Sequence, residues 1–245
     1  MTAPDTFLDT AMVLAAGLGT RIRALSGDKP KPLVDVAGKP LVDWSLDLLA
    51  AGGVSRAVVN IHYKAEQIEA HLASRLKPGI IFSDERGELL ETGGGLMKAT
   101  PHLGEGPVFC TNTDAILDDQ TGEIIRRLRR AWQDDEMDGL LLLVPIEQTS
   151  GYDGQGDFSL GADGRVARDG DGPRYVFTGL QIIHPRLWAG EPVTKQSTRV
   201  FWDKAMAAGR LYGLLYEGRW MHVGDPEGHR AATDYLTGGA NAEAI

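Results

Sequence analysis

Leu14-Ala15-Ala16-Gly17-Leu18-Gly19-Thr20-Arg21, followed by Lys29-Pro30-Lys31-Pro32-Leu33, is the stretch of this chain best equipped for chemistry. Two glycines spaced by one residue let a backbone approach a phosphate and aim N–H groups at it. Arg21 can fork onto phosphate oxygens, and Lys31 adds a point charge. The chemistry suggested is the holding of phosphate. Two familiar phosphate loops are excluded by the residues themselves. The spacing Gly-x-x-x-x-Gly-Lys-Ser/Thr does not occur, and a dinucleotide fingerprint needs a third glycine where Ile22 stands. On spacing alone, a structural turn with a solvated arginine fits equally well.

Three further stretches carry reactive or polar groups. Glu91-Thr92-Gly93-Gly94-Gly95 puts three glycines at a helix start, either a second place for free N–H groups or a flexible first turn. Thr111-Asn112-Thr113-Asp114 follows an apolar run, where an aspartate can also cap a helix. Trp220-Met221-His222-Val223-Gly224-Asp225-Pro226-Glu227 brings an imidazole close to a carboxylate.

These stretches need elements to position them. Met12-Val13-Leu14-Ala15-Ala16 is an apolar run ending at glycine, a buried strand that feeds the loop. Pro40 opens a helix in which Leu41, Trp44, Leu48 and Leu49 recur, and Gly52-Gly53 stop it. Ala57-Val58-Val59-Asn60-Ile61 reads as a strand, and residues 64–76, with Ile68 and Leu72, as an amphipathic helix. A strand at 80–82, a helix starting over 93–99, a strand at 108–111, a charged helix at 121–132 and a strand at 139–144 follow. This alternation predicts an α/β fold with a mixed, mostly parallel sheet and helices on both faces. After Pro145 the chain becomes rich in Gly and Asp. A small antiparallel excursion is expected, turning at Ala162-Asp163-Gly164 and Asp169-Gly170-Asp171-Gly172. A strand at 175–183, a helix at 200–208, a strand at 211–216, a helix at 226–236 and a Gly/Ala tail complete the chain.

Composition narrows the function. A net charge of −9 makes a poor general binder of nucleic acid, whose backbone needs a positive surface. There is no run of about 18 apolar residues, so no membrane-spanning helix is expected. Residues 1–10 lack a basic start followed by an apolar stretch, so no secretory signal is expected. The single cysteine, Cys110, excludes an internal disulfide framework and is expected to be a buried, inert core residue. A cytoplasmic protein with small-molecule partners is expected. The oligomeric state is not legible.

The glycine loop taken together with Pro30-Lys31-Pro32 resembles the signature of the sugar-1-phosphate nucleotidyltransferases, over residues 12–235. The resemblance implies a Rossmann-like nucleotidyltransferase fold. It implies one domain over residues 1–245, with a nucleotide-binding half over about 10–145 and an acceptor half over about 146–237. The implied reaction joins a sugar 1-phosphate to a nucleoside triphosphate and releases pyrophosphate. Leu14, Ala15, Ala16, Gly17, Gly19, Thr20 and Arg21 would hold the triphosphate, with Asn60, Glu91, Thr92 and Gly93 completing the nucleotide pocket. Asp114 matches the family's metal-binding aspartate, although Thr113 stands where relatives have glycine. Arg21, Lys31 and Asp114 are then the catalytic residues. Lys31, Asn112, Asp157, Thr178 and Gly179 fall where relatives bind the sugar phosphate. From the residues alone, Asp157 and Gly179 read equally as parts of a hairpin and a strand bulge. The family's Glu-Lys-Pro segment has no clear counterpart, and nearby Arg174 matches poorly.

His222 stands where relatives carry a second metal-binding aspartate, and Asp225 where threonine is usual. Mg²⁺ is a hard ion that prefers oxygen, whereas imidazole suits Mn²⁺, Zn²⁺ or Co²⁺ better. Mg²⁺ is the expected cofactor, with Mn²⁺ admitted by His222. Four roles for His222 stay open: direct ligand, ligand through water, phosphate contact while Asp225 supplies oxygen, or structural residue. Within the family, Glu91-Thr92-Gly93-Gly94-Gly95 with Gly156-Asp157-Phe158 is similar to the N-acetylmuramate-1-phosphate uridylyltransferases of cell-wall recycling. Phe201-Trp202-Asp203-Lys204 with Trp220-Met221-His222-Val223-Gly224 is similar to the mannose-1-phosphate guanylyltransferases. UTP and N-acetylmuramate 1-phosphate are the expected pair. A nucleotide sensor without turnover is an alternative of another class, motivated by His222 and opposed by the intact Arg21, Lys31 and Asp114.

Overall fold

Residues 8–170 and 172–238 are described by the computed structural model. The N-terminus read as signal-free lies mostly outside them, as do Asp171 of the second expected turn and the Gly/Ala tail from residue 239 onward. At the centre of the sheet is β1 (Thr10–Leu14). Its side chains alternate, Ala11 and Val13 entering one core cluster and Met12 the other. A strand buried on both faces must be apolar throughout, which is why this one was legible as an unbroken run.

The chain continues through α1 (Arg23–Ser26), a short hairpin of β2 (Asp35–Val36) and β3 (Lys39–Pro40), and α2 (Leu41–Ala51). Next come β4 (Arg56–Ile61), α3 (Ala65–Leu72), β5 (Gly79–Asp84), α4 (Glu91–Leu103) and β6 (Val108–Asn112). After β7 (Ala115–Leu117), α5 (Glu123–Ala131) and β8 (Gly139–Pro145) lie β9 (Thr149–Ser150), β10 (Phe158–Leu160), β11 (Val166–Ala167) and β12 (Arg174–Ile183). The chain closes with α6 (Arg199–Ala207), β13 (Leu211–Leu215), β14 (Trp220–His222) and α7 (Pro226–Leu236).

Nine strands share one sheet in the order β11-β10-β12-β6-β1-β4-β5, with β8 on β12 and β13 on β8. β1 is parallel to β4 and β6, β4 to β5, and β8 to β13. β12 runs antiparallel to its neighbours β6, β8 and β10. One face is covered by Leu46 and Leu49 of α2, Ile68 of α3 and Leu128 of α5. The other is covered by Leu96 of α4 and Phe201 and Trp202 of α6. The mixed, mostly parallel sheet with helices on both faces is therefore what forms, and the excursion at β10 and β11 turns where expected.

Some boundaries differ from the sequence reading. The helix expected over 64–76 is confined to Ala65–Leu72, because Lys64 is left-handed at φ 52° and Leu76 is 87% exposed, giving a longer helix no face to bury. The charged helix begins at Glu123, not 121. Asp119 takes the N–H groups of Thr121, Gly122 and Ile124 ahead of it. A second small sheet, β7-β14-β9, was not foreseen. Strands of two or three residues carry too little alternation to read.

Candidate active site

Leu14, the last residue of β1, pairs with Asn112, the last residue of β6. From β1 the chain goes to β4 and β5 on one side and returns to β6 on the other. The crevice beyond the carboxyl ends of β1 and β6 is thus a topological switch point, where open α/β sheets bind ligands. Two bonds fix the path of the loop that leaves it. Thr113 donates its hydroxyl to the Leu14 carbonyl at 3.1 Å, and Asn60 Oδ1 accepts the Ala15 N–H at 2.7 Å.

Gly19 is required twice over. Its φ of 60° is left-handed, and a Cβ there would stand 2.6 Å from Cβ of Lys31. The bare backbone lets the Lys31 stem pass against the loop. Pro30 precedes and Pro32 lies within the single 3-10 turn Lys31–Leu33, which orients the lysine. Its ammonium reaches Asp114 Oδ2 at 3.1 Å. Burial works against ionisation of Asp114, but the charge of Lys31, then that of His222, outweighs it and holds the carboxyl below the usual carboxylate range. Arg21 is the middle residue of the 3-10 turn Thr20–Ile22, and among the described residues its guanidinium makes no ion pair.

A cleft of about 340 Å³ gathers most of the residues singled out in the sequence. Leu14, Ala15, Ala16, Gly17, Gly19, Thr20, Arg21, Lys31, Asn60, Glu91, Thr92, Asn112 and Asp114 all line it, as do Leu89 and Gly224, which sequence reasoning missed. One expectation needs correction. Gly93 and Gly94 do not offer free N–H groups, since both donate to the Gln196 carbonyl, at 2.8 and 3.0 Å. Their lack of side chains serves packing: a Cβ would lie 2.8 Å from the Ser197 backbone at Gly93 and 2.4 Å from the Thr194 carbonyl at Gly94. Asn60 lines the cleft, but its amide is committed at both ends, with Nδ2 donating to Glu85 Oε1 at 2.8 Å. Glu85 is fully buried, and its Oε2 accepts the Leu90 N–H at 3.1 Å. Asn60 and Glu85 therefore tie the glycine loop to the start of α4, the two walls of the cleft.

A second cleft of about 300 Å³ shares Leu14, Thr92 and Asn112 with the first. Asp157 lines it, with Oδ2 accepting the Phe177 N–H at 2.8 Å. Thr178 does not reach this cleft. It is buried, and its hydroxyl donates to the Leu142 carbonyl at 3.1 Å. Gly179 sits at the bulge in β12 with φ 91°, where a Cβ would crowd the Asn112 side chain at 3.1 Å. It leaves room for Asn112 and does not itself line the cleft. Sequence reasoning missed Arg168, Gln181, Thr198, Arg199 and Trp202 on this lining. One signal was available: Arg199 is a cation at the first residue of a helix, where the macrodipole disfavours it.

His222 and Asp225 line a third, larger cleft of about 630 Å³ that meets the first at Arg21. His222 lies opposite Ala115 on the small sheet, and the Val223 N–H donates to the Asp114 carbonyl at 2.8 Å, which holds β14 beside Asp114. The imidazole stacks on Trp220, with ring centroids 5.7 Å apart. Its Nδ1 is 3.1 Å from the Gly151 carbonyl, which can only accept, so Nδ1 carries the proton and Nε2 keeps the lone pair in the neutral ring. Asp225, offered by the sequence as an oxygen ligand, is the N-cap of α7, its Oδ1 accepting the Gly228 N–H at 2.9 Å. That bond, with the charges of His222 and Arg21, holds its carboxyl below the usual range despite burial.

Residues 11–214 match the MobA-like NTP transferase domain. The chain is 46% identical to the N-acetylmuramate alpha-1-phosphate uridylyltransferase of Caulobacter vibrioides, over 91% of this chain and 94% of that one. It is 30% identical to the mannose-1-phosphate guanylyltransferase catalytic subunit beta of Drosophila pseudoobscura pseudoobscura, over 93% of this chain but 61% of that one. Among solved structures, HddC from Yersinia pseudotuberculosis superimposes with a TM-score of 0.72 at 24% identity, covering 93% of this chain and 99% of that one. No helix of the described residues is long and apolar enough to cross a membrane.

Proposed function

Since the chain belongs to the MobA-like NTP transferase family, we propose that it transfers uridylyl from UTP to N-acetylmuramate 1-phosphate in the cytoplasm, releasing pyrophosphate. The observation that carries the reaction is the meeting of Lys31 and Asp114, beside an unpaired Arg21, in a cleft that opens on a second, acceptor-sized one. The choice of substrates rests on the likeness to the Caulobacter vibrioides enzyme.

A sugar-phosphate oxygen attacks the α-phosphorus in line as pyrophosphate leaves. The second pKa of a phosphate monoester is about 6, so the nucleophile is already largely anionic near pH 7 and needs no strong base. The protein's task is to bring two polyanions together and to stabilise charge on the leaving group. Arg21 and Lys31 supply that charge, and the loop from Ala15 to Thr20 seats the phosphates.

Metal binding fits these residues in part. Among the described residues, no cluster of three or more His, Cys, Asp or Glu is placed to hold an ion alone. Mg²⁺, however, is commonly held by one or two carboxylates with substrate phosphates and water supplying the rest. Asp114 would be the carboxylate, and the free Nε2 of His222 a second donor that favours Mn²⁺. Such an ion would supply Lewis-acid stabilisation of phosphoryl oxygens.

Pyrophosphate release tests this reading, crossing the four ribonucleoside triphosphates against N-acetylmuramate, mannose, glucose and N-acetylglucosamine 1-phosphates, with Mg²⁺ and then Mn²⁺. Release with UTP and the muramate ester is expected. GTP with mannose 1-phosphate would select guanylyl transfer instead, and triphosphate binding without release would indicate a sensor.

A further inference from the structure

The second cleft contains a cationic corner that nothing in the phosphate chemistry uses. Arg199 begins α6, and among the described residues its side chain makes no ion pair. A lone cation at a helix N-terminus is opposed by the macrodipole, which favours an anion there. Arg168 faces the same cleft but is already engaged, with Nε and a terminal nitrogen on Asp203 Oδ1 at 3.2 and 2.9 Å. Next to Arg199, Thr198 is 3% exposed, lines the cleft, and its Oγ1 is buried without a hydrogen-bond partner. Buried hydroxyls are rarely left unpaired, and such a group marks a place for a ligand atom.

We propose that Arg199 and the Thr198 hydroxyl bind a carboxylate on the acceptor, making this corner the determinant that selects a sugar 1-phosphate with a second anionic group. This inference rests on the proposed reading, and deepens it. N-acetylmuramate differs from N-acetylglucosamine by a lactyl ether that ends in a carboxylate. The two clefts join at Leu14, Thr92 and Asn112, so one ester can keep its phosphate beside Lys31 while its ring occupies the second cleft. Thr92 fixes the corner to the nucleotide side, its Oγ1 accepting the Thr198 N–H at 2.9 Å. The Asp157 carboxylate stands on the same lining and suits sugar hydroxyls, which leaves the anion to the Arg199 end. An arginine fork matches a carboxylate in a way that a lysine does not.

The test compares N-acetylmuramate 1-phosphate with N-acetylglucosamine 1-phosphate, using UTP and the intact chain. Arg199→Gln is expected to lower kcat/KM for the muramate ester about 10- to 100-fold, mainly through KM, the range for loss of a charge-assisted contact. Turnover of the glucosamine ester and KM for UTP should stay unchanged. Arg199→Lys should fall between, and Thr198→Val should weaken only the muramate ester. Equal losses for both esters, or a muramate preference that survives Arg199→Gln, would overturn the carboxylate site while leaving uridylyl transfer intact. A wild-type enzyme that turns over the glucosamine ester and not the muramate ester would remove the proposed substrate, and this inference with it. Unchanged thermal unfolding of the variants separates binding from misfolding, and the exposed position of Arg199 makes folding insensitive to its loss.

Discussion

Lys31 Nζ lies 3.1 Å from Asp114 Oδ2, a contact between residues 83 positions apart that joins the glycine loop to the end of β6. The side chains are 12% and 33% exposed, so the pair is neither a free surface bridge nor a sealed one. Lys31→Met should lower kcat by about 10²–10³-fold, the scale seen when one donor to developing charge is removed. Its cost to stability should be about 1 kcal/mol or less, as for partly exposed pairs. An unchanged kcat would take Lys31 out of the mechanism.

Gly19 and Gly17 should differ sharply although both belong to one motif. Alanine at 19 needs a left-handed residue with a Cβ 2.6 Å from that of Lys31, whereas a Cβ at Gly17 meets nothing within 4 Å. Gly19→Ala should cost about 1–2 kcal/mol in backbone strain, in addition to the displacement of Lys31. Comparing kcat/KM and urea unfolding of the two variants checks this. Equal effects would mean that the loop reshapes around either change.

Asp119 supports stability in a pH-dependent way. Burial opposes its ionisation, but the N–H groups of Ile124, Thr121 and Gly122 and the Thr121 hydroxyl outweigh this and lower its pKa from 3.8. A folded-state pKa below the unfolded value means that the unfolded chain binds protons first, so stability rises with pH in that window. The contribution should be complete above about pH 5 and be lost as pH falls below 3.8 through the folded value. Asp119→Ala should therefore cost about 1–2 kcal/mol at pH 7, as for a lost cap, with the gap to wild type closing in acid. A gap independent of pH in chemical denaturation would contradict the assignment.

Cys110 should be chemically silent. It is fully buried in β6, and burial pushes its thiol up to about 12 even though Gln181 acts in the other direction. The thiolate is the reactive form. Iodoacetamide should leave the native enzyme unlabelled and active, with labelling only after denaturation. Rapid native labelling would show that β6 opens.

What the sequence determined by itself was local. The glycine loop, Arg21 and Lys31 stand within 18 residues, and their residue types suggested phosphate holding without knowledge of the fold, although the spacing alone suited a structural turn equally well. The apolar run of β1 and the alternation up to β8 were legible because strands buried on both faces and amphipathic helices have different periods. The tertiary structure decided whatever depended on which distant group arrives. Gly93 and Gly94 looked like N–H donors until Gln196 occupied them, and Thr178 looked like a sugar contact until its hydroxyl turned to Leu142. Asp225 became a helix cap, and Asn60 a tie between Ala15 and the buried Glu85. The corner at Thr198 and Arg199 emerged only when α6 was packed against the sheet beside α4. A side chain's type is written in the chain, but its free valence is what remains after neighbours far along the sequence have taken their hydrogen bonds, and folding alone brings those neighbours within reach.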